Sequence, residues 1–373
     1  MRRALALLLG TPRGNLLVVA RQQHLGHPHS AKHLRLGVVR RIKKALLKRI
    51  GEQRLPVADH AGNQADDGIN QYERVRFSDG FDGFKSALYI YRANHGQFNT
   101  TWGDNDLGML VAAGFLNRGA LLPPEQQRQI ASVYLSAFFE AALKGQTGYL
   151  PLFADARAAP AGWLPDTLYI HRFNRAGDRL LADFEEDVDL LTASLPGGRL
   201  TGENLKLWRE QRIHAKGDAQ FNAGVYLGWT EEAPAAYTLT LPPGTPAPAE
   251  AIIFALADAL QDPTPQGQTP APPAGPRQPI DLTVTLVDAA GNEAALPLSA
   301  YRPIQPQLPA PVFKAALFER RGPSEPVLQS YSLPLAHFTA ANPAFDPARI
   351  AAIRFVFDRT PRGSVVLDEV GFR

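Results

Sequence analysis

The sequence predicts two fold classes in one chain, an α/β segment followed by an all-β domain built as a sandwich of short strands. Three observations carry this. From about Thr167 onward, nine short apolar runs follow one another, many alternating with period two and separated by turn residues. Between Glu125 and Leu143 apolar residues recur at helical spacing. Ahead of both, Ala87 to Tyr91 is a run of aromatic and aliphatic residues that reads as a buried strand, and His95-Gly96 follows its end.

Length and composition bound the rest. A chain of 373 residues has room for about two domains, and 45% hydrophobic content supports real cores. No apolar run reaches the length of a membrane-spanning helix. The absence of cysteine excludes disulfides, thiolate nucleophiles and cysteine-ligated metals. The net charge of +3 hides a split: residues 1–54 carry 13 Lys and Arg against one acid, Glu52, and the remainder carries 26 against 35. The basic segment 1–54 is expected to be partly disordered or helical. Attachment to nucleic acid or to a membrane surface is the least favoured reading of it, beside a compositional bias of the coding sequence.

Taken in order, Met1 to Ala20 holds two apolar runs, Ala4 to Leu9 and Leu16 to Ala20, broken by Thr11-Pro12-Arg13-Gly14-Asn15. This is not a convincing signal peptide. The chain as written reads as cytoplasmic, and as extracellular if the full-length protein is secreted. His24, His27, His29 and His33 lack acidic or cysteine partners nearby and read as a solvated segment, so no metal is assigned. Residues 37–50 form a basic amphipathic pattern, read as a surface helix. Leu55-Pro56-Val57-Ala58 reads as a strand, and the loop His60 to Asn70 after it contains Asp66 and Asp67. Pro123-Pro124-Glu125 opens the helix and Gly145 stops it. The later strands are expected at 168–173, 225–229, 237–241, 251–256, 280–287, 312–318, 327–333, 350–357 and 365–370. The seven prolines of 263–279 mark a loop of polyproline character.

The run Asn94-His95-Gly96-Gln97-Phe98-Asn99 followed by Trp102 resembles the catalytic-histidine loop of bacterial α/β-hydrolases related to dienelactone hydrolases and polyester-type esterases. The resemblance covers about residues 55–155. It implies that residues 55–160 are the C-terminal part of an α/β-hydrolase core, with 55–58 and 87–91 as parallel neighbours. It also implies a Ser-Asp-His triad in which His95 is the base and Asp66, or else Asp67, the acid that holds the imidazole. Read without it, His95 is a loop histidine and the two acids are solvated turn formers. No G-x-S-x-G elbow is found, so nucleophile and oxyanion hole are expected upstream, with a small ester or acyl compound as substrate and no cofactor. Such a half-domain should expose the edge of 55–58, leave Tyr134, Phe138 and Phe139 partly wet, and self-associate by edge pairing.

The ending, SLPLAHF, ARIAAIRFVFD and GSVVLDEVGF, resembles the last strands of galactose-binding-like jelly rolls. The alternative function is therefore a non-catalytic binding protein that uses the sandwich of 165–373, with carbohydrate as ligand. Trp163, Trp208 and Trp229 are the candidate stacking platforms, against the commoner role of single aromatics in cores.

Overall fold

The computed structural model describes residues 7–9, 15–21, 69, 71–106, 113–215, 218–260, 278–309, 311–318 and 324–373. It divides into two compact units, Met1–Tyr169 and Ile170–Arg373. Among the described residues, no helix is long and apolar enough to cross a membrane.

In the first unit, β1 (Leu7–Leu9) and β2 (Asn15–Arg21) form a hairpin, and β2 pairs antiparallel with β3 (Gly83–Ile90) from Asn15↔Tyr89 to Arg21↔Gly83. The two short apolar runs within residues 4–20 thus each contain a strand. The pairing of β3 with β2 is antiparallel, and the parallel α/β core implied by the resemblance does not appear among the described residues. Segment 55–58 and the basic helix of 37–50 lie outside those residues. From Phe84 to Ile90 every residue of β3 is buried, Lys85 included, whose ammonium lies 4.2 Å from the Tyr72 ring centroid and donates to the Tyr72 carbonyl.

Helix α1 (Pro124–Lys144) starts on Pro124, whose missing N–H costs nothing in a first turn. Gly145 ends it at φ 69, with its own N–H on Ala141 O and that of Gln146 on Glu140 O. The helix buries Ile130, Tyr134, Ala137, Phe138 and Ala141. Tyr134 and Phe138 are thus dry, where exposure was expected, and Tyr134 meets Phe153 of α2 (Leu150–Ala154) edge-on at 5.9 Å.

The second unit is an antiparallel β-sandwich. Strand β4 (Tyr169–Arg175) belongs to neither of its two sheets. The strands after it are β5 (Arg179–Ala182), β6 (Arg199–Glu203), β7 (Leu207–Ala215), β8 (Asp218–Trp229), β9 (Ala235–Thr240), β10 (Ala251–Asp258), β11 (Thr283–Asp288), β12 (Glu293–Pro297), β13 (Leu308–Pro309), β14 (Ser324–Glu325), β15 (Gln329–Pro334), β16 (Ile350–Phe357) and β17 (Gly363–Phe372). One sheet runs β15-β10-β17-β8-β7, with β5 also on β17, and the other β12-β11-β16-β9-β6. Period-two alternation sends Val225, Leu227 and Trp229 of β8 and Val365 and Leu367 of β17 inward, to meet Tyr237, Leu239, Ile353 and Phe355 of the facing sheet. Helix α3 (Leu335–Ala341) adds Leu335 and Phe338 to this core. Residues 312–318, expected as a strand, instead contain a 3-10 turn at 316–318, and Leu317 there is almost fully exposed; no sheet gives that run a buried face.

The outer face of the first sheet carries a second buried set. A bulge in β17 puts Glu369 at φ 52 and lets both Asp368 and Glu369 reach Arg172 of β4, at 3.3 and 3.0 Å, while Asn222 donates to Asp368. A guanidinium and two carboxylates taken out of water depend on one another. We expect Arg172→Met, which keeps the volume, to destabilise the protein by roughly 3–5 kcal/mol in chemical unfolding, against about 0–1 kcal/mol for Glu232→Gln at the exposed Lys206 pair. Equal losses would contradict a mutually dependent buried cluster.

Candidate functional site

At one end of the sandwich, β7 and β6 are the edge strands of the two sheets. On β7, Trp208 faces inward opposite Leu227 and Glu210 opposite Val225, so the inward alternation of this strand delivers an indole and then a carboxylate. Across the gap, β9 supplies Tyr237, 1% exposed, whose ring meets Trp208 edge-on at 6.0 Å and 78°. The indole fits because β6 has Gly202 beneath it: a methyl group there would lie 2.8 Å from Trp208 Cε3 and 2.7 Å from Leu205 Cδ1.

Three buried polar atoms of this set, Trp208 Nε1, Glu210 Oε1 and Tyr237 Oη, have no hydrogen-bond partner among the described residues. Burial of unpaired polar atoms is costly. The loop between β5 and β6 carries Asp183, Glu185, Glu186, Asp187 and Asp189, of which Glu186, Asp187 and Asp189 act on Glu210. It is tied down: Ser194 Oγ reaches both Asp183 and Glu186, Thr192 Oγ1 donates to Asp187 at 2.9 Å, and Glu185 accepts the Ala223 N–H at 2.6 Å. Burial, and then repulsion by Glu186, Asp187 and Asp189, raises Glu210 to about 7. Burial first, and then Glu210 and Glu186, push the Tyr237 hydroxyl well above its ordinary value.

The other tryptophans differ. Trp229 is wholly buried, stacked on Phe357 at 4.3 Å, and donates to Thr360 O, so it belongs to the core. Trp163 is partly exposed, in the first unit, where Gln129 donates to its carbonyl.

His95 follows β3 in a loop held by buried amides. Gln127 of α1 accepts the Asn94 N–H at 3.1 Å and donates to Asn94 Oδ1, Gln97 Oε1 and Leu122 O. Asp106 accepts the backbone N–H groups of His95 and Gly96, each at 2.8 Å, and the Asn94 amide at 3.0 Å. Gly96 allows the close turn, since a Cβ there would lie 2.3 Å from Gly103 O. Asn99 caps the next turn and sets the exposed Trp102 edge-on to the imidazole at 5.0 Å. Burial lowers the His95 pKa, and the charge of Asp106 opposes it. Burial likewise raises Asp106, against the N–H groups it accepts. Asp66 and Asp67 lie outside the described residues. The sequence reading missed Asp106 and Gln127, which act through backbone and amide contacts that leave no spacing signature. It also missed Glu210 and Tyr237, though a carboxylate at an inward position of an alternating strand is a readable signal.

No protein-family model matches the sequence, and no curated protein does. Solved structures with some likeness include the family 11 carbohydrate-binding module of a cellulosomal cellulase of Clostridium thermocellum, at 12% identity and a TM-score of 0.29, over 52% of this chain and 93% of that one. A family 30 carbohydrate-binding module of another cellulase from that organism aligns at 11% identity and 0.33, over 52% and 96%. A family 29 module complexed with mannohexaose aligns at 9% and 0.28, over 52% and 91%. Overlap of that order carries no argument about what this chain binds.

Glu210 gives a pH signature. Its folded pKa of about 7 lies above the ordinary 4.5, so its contribution to stability is complete below about pH 4.5 and is lost as pH rises through about 7. Glu210→Gln should therefore raise the melting temperature at about pH 8 more than at about pH 5. An advantage that does not grow with pH would contradict the crowding of carboxylates. For His95, an NMR titration should give a pKa below 6.5, and a midpoint at or above that value would show the ring to be solvated.

Proposed function

We propose that this chain is a non-catalytic binding protein whose β-sandwich takes a carbohydrate at the Trp208–Glu210–Tyr237 end. The observation that supports this is the set of three buried, unpartnered polar atoms beside two aromatic rings. A sugar presents hydroxyl groups that both donate and accept, along with apolar C–H faces. The Tyr237 hydroxyl and Trp208 N–H supply donors, Glu210 supplies the acceptor for one or two adjacent hydroxyls, and the ring edges supply the apolar wall. The resemblance of the last strands to galactose-binding-like jelly rolls leans the same way. The sandwich's outer face at Arg172, Asp368 and Glu369 is buried and carries its own ion pairs.

A second reading keeps His95 as the general base of an acyl hydrolase, with Asp66 or Asp67 as its acid. What favours it is the organisation of the His95 loop, whose backbone Gln127 and Asp106 hold in place. A base without a nucleophile activates nothing, and loss of the serine from a triad removes on the order of 10⁶ in turnover.

Titration of the full chain with soluble oligosaccharides should show saturable binding, weakened roughly tenfold or more in Glu210→Gln and Tyr237→Phe with folding intact. Binding untouched by both substitutions would place the ligand elsewhere. With activated esters the chain should show no hydrolysis above background, and a rate abolished by His95→Ala would reverse the order of the two readings.

A further inference from the structure

We infer that a second site, a cavity where β10 ends and β15 begins, takes the primary-alcohol arm of a neutral sugar. Strands β15 and β7 are at opposite edges of the same sheet, so this site is separate from the Trp208 end and does not rest on it.

The cavity measures about 290 Å³ with its open mouth and narrows to room for about one water-sized group. All the residues that line it belong to the second unit. Gln329 and Tyr331, two positions apart on β15, form part of the wall. They are 6% and 3% exposed, and neither Gln329 Nε2 nor Tyr331 Oη has a hydrogen-bond partner among the described residues. The Gln329 amide is the polar neighbour of the Tyr331 hydroxyl, but the two do not meet hydrogen-bond geometry. The Tyr331 ring is stacked on Phe254 at 5.3 Å and 16°, which fixes where its hydroxyl stands. Burial keeps that hydroxyl protonated, and so a donor. The remaining wall is also tied down. Ile304 exchanges two backbone hydrogen bonds of 2.8 Å with Ile280, and Gln307 donates to Asp258 O at 3.0 Å.

Charge decides the class of ligand. Among the described residues the wall carries one carboxylate, Asp258, and no lysine, arginine or histidine. Arg302, whose charge reaches Tyr331, is outside the wall and donates to Ser330 O at 3.4 Å. Asp281, the other charge that reaches Tyr331, is paired with Arg359 at 2.8 Å. An anion would meet Asp258, and a metal cation would meet N–H and O–H donors where it needs oxygen ligands. A hydroxyl group suits the site. Its oxygen accepts from Tyr331 and Gln329, and its proton goes to Asp258 or Gln305. A water could make those bonds too, but it would leave the half-buried Pro306 and Leu308 of the same wall without an apolar partner. The carbon that bears the hydroxyl supplies one. At one water's width the cavity admits the arm and leaves the sugar ring at its mouth.

The test uses the full chain at neutral pH with two probes, methyl glucoside and methyl xyloside, which differ by the hydroxymethyl arm. The readout is the side-chain amide signals of Gln329 in nitrogen-edited NMR, assigned with Gln329→Met. Methyl glucoside should shift these signals saturably, with an affinity roughly tenfold or more above that of the xyloside. Tyr331→Phe, which keeps the ring on Phe254, should weaken glucoside binding roughly threefold to tenfold with the melting transition intact. Equal affinity for the two glycosides would overturn the inference. So would glucoside binding that Tyr331→Phe leaves unaltered, which would place the sugar elsewhere. Amide signals that stay fixed up to the highest glucoside concentration would mean that the cavity holds water only, and would overturn it as well.

Discussion

The polar end of the sandwich depends on one contact, the Trp208 indole lying over Gly202. It closes the gap between edge strands β7 and β6, and there is no room beneath it for a side chain. With the indole seated, Tyr237 is sealed from water and the inward position two residues along β7 becomes the rim of the core. Glu210 occupies that rim. A carboxylate there is half in a low-dielectric interior and half under an acidic loop, and both circumstances favour its protonated form. The unpaired atoms and the displaced titration thus share a cause, a polar residue placed by strand alternation where the sandwich would otherwise continue as apolar packing.

The same logic of a paired exception governs the two other polar regions. At Arg172 the bulge in β17 brings two acids to one guanidinium. At His95, Gln127 and Asp106 satisfy the backbone of a tight loop from the side and leave the imidazole ring facing Trp102. Buried polar atoms in folded proteins nearly always find partners, and a cluster that does not is informative about a ligand.

Legibility in the sequence followed burial. Strand β16 is found at Ile350–Phe357, the span its alternation suggests, because both of its neighbours pair with it and its inward residues are uniformly apolar. Helix α1 was equally clear from Ile130, Tyr134, Ala137, Phe138 and Ala141. Edge strands were not: in β7, LWREQRIHA, outward charges and an inward glutamate erase the contrast that period two relies on. Strand β6 contains Gly202, which reads as a break but serves as clearance for Trp208. For the sites, His95 was visible as a histidine just past a buried strand, whereas its supports were not. Asp106 and Gln127 act at sequence separations of about 10 to 33 residues through tertiary contacts alone.

The most direct measurement is the titration of the Glu210 side-chain carboxyl by carbon NMR. The account predicts a midpoint of about 7. An ordinary carboxylate midpoint would contradict it.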